Sequence, residues 1–587
     1  MSFQVQEFMH RLQSGGLARV LRGLFVLLVA GAVAALYDNL AFRNLAQREA
    51  MDMAQLGKNL AEGQGYHTLV VRPLSMFLLQ RHRPDRSPEI MGRHPDLANP
   101  PVYPALLAGL FRLLPERWFK ASATDFGIYA PDLAIALLNQ GLLLSAALLL
   151  WFLASRLFDP FIGWVSSIVF VGTELFWRYS ISGLNTLLLI NIFLLLVWVL
   201  VILEHWVRVD RPQTLQVVLA GVCGALVGLG GLTRYSFAWL IIPVLVFLAW
   251  FPGQKRALFI LACVGVFAVM LLPWVARTQA LCGLPFGTAT LTVCENTLPF
   301  PGDRLQRSLE PDLRRVTLTD LGRKGLEGCR MLVRSDLPRL GGNWISAFFL
   351  AGLLVPFRNK RLSRLRWFVL LTLVTLGLTQ TMVRTVDSLE SPDVDPGNML
   401  VLAAPLVFVF GVAFFFTLLD SVPMAFFAAR PVCAGLLCVV TSLPLIFELL
   451  PPGMSPVAYP PYYPPLIQKV GSWFDREELI MSDVPWATAW YGRRQSLLAT
   501  LTWDKDFMEI NDFQKTIKGI YLTPRTTDTK FLSDWVRGDN RGWASFLLGS
   551  LLDRQVPSGF PLRRAPAGFF PEQLVLTDYE RWKVRGD

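Results

Sequence analysis

The sequence is poor in the residue types and motifs from which soluble enzymes build their sites. Only 17% of its residues are charged, and its five histidines are dispersed, so a histidine-built metal site is not expected. It contains neither a phosphate-binding loop with a lysine nor a nucleophile elbow of the glycine–serine–glycine type. No basic cluster is interleaved with aromatic residues, which argues against nucleic acid as a partner.

Cysteine is also scarce, with seven in the chain. Four of them lie in apolar runs, where cysteine packs as a small hydrophobic residue. Cys282, Cys294 and Cys329 share one loop, so a Cys282–Cys294 disulfide can form only if that loop is extracytoplasmic. The odd third cysteine argues against a disulfide framework, and the sequence leaves the bridge open.

Long apolar runs, by contrast, dominate the chain. Hydrophobic residues make up 53% of its 587 residues, and the mean hydropathy is +0.43. Many runs approach the roughly 20 residues that span a bilayer, so the sequence predicts a polytopic α-helical membrane protein. About eleven spans are predicted, at 18–36, 132–153, 161–177, 183–203, 215–232, 237–251, 257–275, 343–357, 366–383, 398–418 and 430–449. The first is interpreted as a retained span, because no clear small-residue cleavage site follows it.

Basic residues set the predicted orientation. Three loops that follow even-numbered spans carry them: Arg208 and Arg211, Lys255 and Arg256, and the run Arg358–Arg366. Because cytoplasmic loops are rich in lysine and arginine, the N-terminus is predicted to be cytoplasmic, which also accounts for much of the net charge of +11. Nearly all the polar mass then lies outside, which disfavours a flippase or transporter. This organisation suits the inner membrane of a bacterial envelope.

Three parts follow from this topology. Residues 1–450 form a membrane domain with extracytoplasmic loops 37–131 and 276–342, and a proline-rich linker covers 451–465. Residues 466–587 are predicted to be a small extracytoplasmic α/β domain. Its predicted elements alternate between short strands and helices, at Glu478–Met481, around Trp486–Arg494, at Gly519–Leu522 and in a helix near Lys530–Arg537.

An acidic amphipathic helix directly after the first apolar run is the main candidate for chemistry. In the stretch Arg48–Tyr66, Glu49 and Asp52 are spaced i, i+3, which places both carboxylates on one helix face. Gly63 and Gly65 are expected to end the helix. A solvated interfacial helix is the alternative interpretation.

The order of features resembles the GT-C superfamily of membrane glycosyltransferases, in particular protein O-mannosyltransferases and the aminoarabinose transferase that acts on lipid A. Those enzymes carry an acidic motif on a short helix straight after the first span. The stretches that carry the resemblance follow in order: Gly57–Leu60 (GKNL), Glu62–Tyr66 (EGQGY), Asn99–Pro104 (NPPVYP) and Gly231–Arg234 (GLTR). Glu49 falls where the family has its catalytic aspartate.

The resemblance implies transfer of a sugar from a polyprenyl-phosphate donor to an extracytoplasmic lipid, glycan or protein, with inversion at the anomeric carbon. Glu49 would be the general base and Asp52 a second acid that orients the acceptor or a cation. Arg234, Lys58 and Arg72 would bind the donor phosphate. Four further residues near the outer surface are candidate site residues: Tyr235, Asn185, His94 and Tyr103.

Two departures from the family pattern support an alternative function. Ala50 stands where the family has a second acid, and Asn185 stands where some relatives carry an aspartate. The alternative is a catalytically inactive membrane scaffold whose tail docks onto partner proteins. Whether Glu49 and Arg234 share one cavity open to lipid would discriminate the two.

A divalent cation is the one cofactor that the sequence suggests. The loop 384–397 carries four acids, Asp387, Glu390, Asp393 and Asp395, although a solvated surface is the favoured interpretation of this loop.

Overall fold

The computed structural model describes most of the chain. The described residues are 16–83, 92–121, 128–251, 255–340, 344–354, 360–384, 394–421, 429–450, 462–527, 537–538, 540–551, 555–566 and 573–584. The α-helices of six or more residues are numbered α1 to α20 in chain order. Up to the middle of the membrane domain these are α1 (Gly16–Ala41), α2 (Arg48–Ala61), α3 (Pro73–His82), α4 (Val102–Leu113), α5 (Ala130–Leu157), α6 (Pro160–Gly172), α7 (Glu174–Ile181), α8 (Thr186–Arg208), α9 (Gln213–Gly231), α10 (Ile241–Ala249) and α11 (Lys255–Cys282).

The remaining helices complete the membrane domain and belong to the tail. They are α12 (Leu318–Met331), α13 (Trp344–Leu354), α14 (Lys360–Val383), α15 (Ala404–Ser421), α16 (Ala429–Leu449), α17 (Pro464–Ser472), α18 (Pro485–Trp490), α19 (Asp506–Phe513) and α20 (Ala544–Leu551). Five strands join them: β1 (Val70–Val71), β2 (Leu479–Ser482), β3 (Gln495–Leu498), β4 (Ile517–Leu522) and β5 (Leu574–Thr577).

Seven of the eleven predicted spans correspond to single described helices that are long and apolar enough to cross a membrane, and the count is eight if a bent helix pair forms one span. Among the described residues, seven single helices qualify: α5, α8, α9, α11, α14, α15 with the turn before it, and α16. The eighth is the pair α6 and α7, which are bent by 55° at Thr173. The predicted spans 237–251 and 343–357 correspond to shorter apolar helices, and 18–36 lies inside α1, whose described apolar part is Leu28–Ala41. The number of eleven membrane spans therefore stays a prediction.

Small residues let the membrane helices pack closely. A Cβ atom added at Gly224 of α9 would lie 2.1 Å from the carbonyl oxygen of Cys263 in α11. A Cβ atom added at Gly228, one turn on, would lie 2.8 Å from the Met270 Cβ atom of α11. Glycines four residues apart on one helix face allow two backbones to approach in a membrane, where packing rather than the hydrophobic effect holds helices together.

The tail forms a sheet that borrows a strand from the first loop. The strand order is β1-β3-β2-β4-β5, in which β1 pairs parallel with β3 through Val70 and Ser496, and β5 runs antiparallel to β4. The predicted strands at 478–481 and 519–522 are confirmed as β2 and part of β4. The stretch 486–494 contains most of helix α18, and the helix predicted near Lys530–Arg537 lies, apart from its last residue, outside the described residues.

The tail is fastened to the membrane domain by a buried carboxylate. Asp132, at the start of α5, is fully buried and accepts hydrogen bonds from the Tyr491 hydroxyl (2.6 Å) and the Trp490 indole (2.8 Å). It also accepts from the backbone N–H of Leu45 (3.2 Å), three residues before α2. One side chain thus joins the tail, a membrane helix and the loop that leads into the acidic helix.

Candidate active site

A cavity of about 620 Å³ lies between the start of α2, the turn after α9 and the tail. Six of the nine candidate residues line it: Glu49, Asp52, Arg72, Asn185, Arg234 and Tyr235. They come from four separate parts of the chain, so the fold brings together residues that are distant in sequence. Glu49 and Arg234 in particular share this one cavity.

Helix α2 presents its acids as the sequence predicts. It runs from Arg48 to Ala61, and Gly63 and Gly65 follow it with φ of +74° and +77°, conformations that favour glycine. All eight residues from Ala50 to Gly57 are buried, so this part of the helix is enclosed on every side. The predicted helix and its glycine end are confirmed.

Asp52 is held by three side chains. Its carboxylate accepts from the Arg72 guanidinium at 2.6 Å, from the Asn99 amide at 2.9 Å and from the Gln55 amide at 3.2 Å. Its side chain is 4% exposed. A carboxylate with this many donors has few lone pairs left for a substrate proton. Asp52 is therefore suited to positioning its neighbours.

Glu49 differs from Asp52 in its surroundings. It is half-buried, in the first turn of α2, and lines the same cavity. Within the described part of the chain, no hydrogen bond or ion pair engages its carboxylate. An acid of this kind, facing a cavity with its lone pairs uncommitted, can accept a proton from a bound group.

Arg234 lies on the turn that ends α9. Its guanidinium lines the cavity and forms no ion pair or hydrogen bond with any described residue. The preceding residue is fixed, because the Asn185 amide donates to the Thr233 carbonyl at 2.8 Å. Asn185 also lies 3.8 Å from the Met53 sulfur, which connects this turn to α2. Asn185 thus holds the turn that presents Arg234.

Behind Asp52, a second carboxylate completes a polar network. Asp96 is buried and accepts from the backbone N–H of Ala98 (3.0 Å) and of Asn99 (2.7 Å). The Asn99 amide lies between the two acids, 3.2 Å from Asp96 and 2.9 Å from Asp52. Burial, and then the nearby charge of Asp52, raise the pKa of Asp96 to about 6.

Arg72 stays charged in this network. Burial acts against the charged guanidinium, but the carboxylates of Asp52 and Asp96 outweigh it, and the pKa of Arg72 is raised. Arg72 faces the cavity while it is paired with Asp52, so its positive charge is shared between that acid and any anion in the cavity.

Three predicted residues do not reach the cavity. Lys58 pairs with Glu62 at 3.4 Å and lies 3.6 Å from the centre of the Phe119 ring. Tyr103 is fully buried and donates to the Gly183 carbonyl at 3.0 Å, and His94 is buried beside Thr68, whose N–H donates to the His94 carbonyl. None of the three lines the cavity.

The lining also contains residues that were not among the predicted site residues, and three of them are charged or aromatic side chains near α2: Arg48, Glu295 and Trp486. Burial raises the pKa of Glu295, although Gln306, Arg48 and Lys324 act in the opposite direction. Trp486, from the tail, lies with its ring centre 5.6 Å from the Arg48 guanidinium. Arg48 adjoins the predicted pair and was within reach of the sequence. Glu295 belongs to no motif, and tertiary contacts bring both Glu295 and Trp486 to the cavity.

One side of the cavity is apolar and faces outward. Its lining there consists of Ala238, Trp239, Ile241, Phe267 and Leu271. Trp239 is 55% exposed in the protein alone. Helix α11, which supplies Phe267 and Leu271, is long and apolar enough to span a bilayer, and in a bilayer it would place these two side chains within reach of acyl chains.

Neither a disulfide nor a metal-binding cluster is present among the outer-loop residues that the structure describes. Cys282 and Cys294 are both free thiols, so the bridge is not formed in this structure. No group of three histidine, cysteine or acidic side chains among the described residues is placed to hold a metal ion. Asp387, Glu390 and Asp393 of the acid-rich loop lie outside the described residues, and Asp395 pairs with Arg384 at 3.2 Å.

Comparisons with known proteins identify the fold. A family model described as dolichyl-phosphate-mannose-protein mannosyltransferase matches residues 99–276. The crystal structure of ArnT from Cupriavidus metallidurans bound to undecaprenyl phosphate matches with a TM-score of 0.54 at 11% identity, over 95% of this chain and 98% of that chain. The chain has the GT-C fold.

A second solved structure matches in the same way. The oligosaccharyltransferase of Archaeoglobus fulgidus, in complex with Zn and sulfate, has a TM-score of 0.51 and 12% identity, over 88% of this chain and 71% of that chain. No curated protein matches the sequence significantly. The resemblance to the GT-C superfamily is thus confirmed. The family match covers the stretch Asn99–Pro104 and the turn before Arg234, but not α2, so the role of Glu49 rests on geometry.

Proposed function

We propose that this protein transfers a sugar from a polyprenyl-phosphate donor to an extracytoplasmic acceptor, by a single inverting displacement with Glu49 as the general base. The observation that carries the proposal is that an uncommitted carboxylate, Glu49, and an uncommitted guanidinium, Arg234, line one cavity with an apolar side toward the membrane. A scaffold would not need this convergence.

The donor fits the cavity in two parts. Its polyprenyl chain would lie along the apolar side formed by Trp239, Phe267 and Leu271, and its phosphate would lie at Arg234, with Arg72 and Arg48 nearby. ArnT, a protein with the same fold, was crystallised with undecaprenyl phosphate, which supports a lipid phosphate as the donor class. Lys58 lies outside the cavity, so it is not among the residues proposed to bind the phosphate.

The reaction moves one proton and exchanges one bond. An acceptor hydroxyl or amine attacks the anomeric carbon and gives its proton to Glu49, while the bond from that carbon to the phosphate oxygen breaks. The phosphate leaves with one more negative charge, which Arg234 would stabilise through charge-assisted hydrogen bonds. Asp52 would keep Arg72 in place for the same purpose.

A divalent cation remains a proposal without an assigned site. The carboxylates of the cavity are Glu49, Asp52 and Glu295, and Asp52 is already bound by Arg72 and Asn99. No step of the mechanism above is routed through a metal. Chelation of a purified sample before the assay would measure whether one is needed.

The first experiment is sugar transfer from radiolabelled polyprenyl-phosphate sugars in membranes that contain the intact protein. Glu49→Gln is expected to lower the rate by about 10²–10⁴-fold, as for the loss of a general base. Arg234→Gln is expected to lower it by about 10²–10³-fold, because one preorganised donor to the leaving charge is lost. Glu116→Gln, an exposed acid of the same loop, is the matched control and should transfer like the unmodified chain.

The outcomes separate the alternatives. Loss with Asp52→Asn but not with Glu49→Gln would move the base to Asp52. Equal labelling in all variants, at equal protein levels, would remove both acids from catalysis. No labelling above background even in the unmodified chain, across the donors tried, would favour the inactive scaffold.

A further inference from the structure

A second cavity, of about 230 Å³, lies between the ends of three membrane helices. Its polar lining is Arg156 of α5 with Glu204 and His205 of α8. Its apolar lining is Leu157, Val201, Leu362 and Leu365, from α5, α8 and α14. A lining of three polar and four apolar side chains is what an amphiphile with a polar head would contact.

This cavity lies at the opposite membrane face from the candidate active site. Asn185 directly precedes α8 and lines the active-site cavity, and Glu204 lies 19 residues further along the chain in α8. At about 1.5 Å per residue, this separates them by roughly 28 Å. Helix α14 also extends from one cavity to the other, since Leu362 near its start lines this cavity and Val383 at its end lines the active-site cavity. The separation matches the hydrocarbon core, which is about 30 Å thick.

The charges around the cavity do not balance. Glu204 is buried and pairs with Arg208 at 2.6 Å and with Arg364 at 3.8 Å. Arg156 forms no ion pair with a described residue, and its guanidinium carbon lies 5.9 Å from the centre of the Trp198 ring. Three arginines therefore face one carboxylate. An anion that entered the cavity would find positive charge that no described acid neutralises.

We propose that this cavity binds the phosphate headgroup of an anionic phospholipid in the leaflet opposite the active site. Basic pockets between membrane helices bind such headgroups, and arginine matches phosphate geometry with two parallel hydrogen bonds. The three leucines and Val201 in the lining favour a lipid over free phosphate, because they would contact its glycerol and first methylenes. The proposal stands independently of sugar transfer.

The test measures lipid binding to the full-length protein by native mass spectrometry in detergent. The probes are phosphatidylglycerol, phosphatidylcholine and inorganic phosphate at equal concentrations. Phosphatidylglycerol is expected to bind in preference to phosphatidylcholine. Arg156→Gln is expected to weaken phosphatidylglycerol binding about five-fold, since one arginine near a membrane surface contributes about 1 kcal/mol. Glu204→Gln should strengthen it.

Arg330→Gln is the matched control, because Arg330 is an exposed arginine of α12 outside this cavity. Arg156 is exposed and makes no ion pair with a described residue, so Arg156→Gln should fold normally. It therefore tests the proposal even if Glu204→Gln does not fold. Equal binding of the two lipids, or equal losses with Arg156→Gln and Arg330→Gln, would overturn the proposal. Arg156-dependent binding of inorganic phosphate without a preference for phosphatidylglycerol would overturn the assignment to a lipid.

Discussion

Replacement of Asp132 by alanine is predicted to loosen the tail from the membrane domain. The carboxylate is buried and accepts from Tyr491, Trp490 and Leu45 at 2.6, 2.8 and 3.2 Å. Removing it leaves three buried donors without their acceptor, and each unsatisfied group costs about 1–3 kcal/mol. The expected loss is therefore about 3–9 kcal/mol, comparable to the whole stability of a typical domain.

The assay is thermal unfolding of the purified protein in detergent, together with limited proteolysis of the tail. Asp132→Asn keeps one acceptor oxygen, so it should fall between the unmodified chain and Asp132→Ala. Glu310→Ala, an exposed acid of the outer loop, is the control and should unfold like the unmodified chain. An Asp132→Ala protein that unfolds at the control temperature and resists proteolysis equally would refute the reasoning from these three contacts.

Three further predictions test the site and the bundle. The pKa of Asp96 is raised to about 6, so the folded state binds this proton more tightly than the unfolded chain does. The free energy of unfolding should therefore fall as the pH rises from about 4 to 6. Asp96→Asn should flatten that slope when unfolding is measured as a function of pH. Asn185→Ala should lower both the transfer rate and the unfolding temperature, since it leaves the buried Thr233 carbonyl without the hydrogen bond that fixes the turn of the cavity arginine. An unchanged rate would contradict this positioning role. Gly224→Leu should abolish accumulation of folded protein, as seen by size exclusion, because its side chain would meet the Cys263 backbone.

Much of the membrane domain could be predicted because bilayer thickness imposes a length on each apolar run. Eight predicted spans correspond to helices or a bent helix pair of the expected length. The segments 237–251 and 343–357 were harder, since short apolar helices have the composition of a span without its length. The bend at Thr173 is likewise invisible in hydropathy.

The site could be predicted only where local pattern and chemistry coincide. Glu49 and Asp52 stand out because two carboxylates share one helix face directly after an apolar run. Arg234 stands out because it is a charged residue at the end of an apolar run. Lys58 satisfied the same sequence criteria, yet it turns to Glu62 and Phe119. Glu295 lies on the outer loop and Trp486 on α18 of the tail, and their place in the cavity depends on tertiary contacts that their local sequence does not encode.

The difference between Glu49 and Asp52 illustrates why the base cannot be chosen from spacing alone. Residues i and i+3 are about 60° apart around a helix, so both carboxylates occupy one face but point to different neighbours. Asp52 points to Arg72 and Asn99, which hold it as an acceptor of fixed hydrogen bonds. Glu49 points to the cavity without a described partner. A general base needs a free lone pair to accept a proton. If Asp52 accepted one, it would give up its buried ion pair and leave the Arg72 charge uncompensated. Glu49 has no such pair with a described residue to lose.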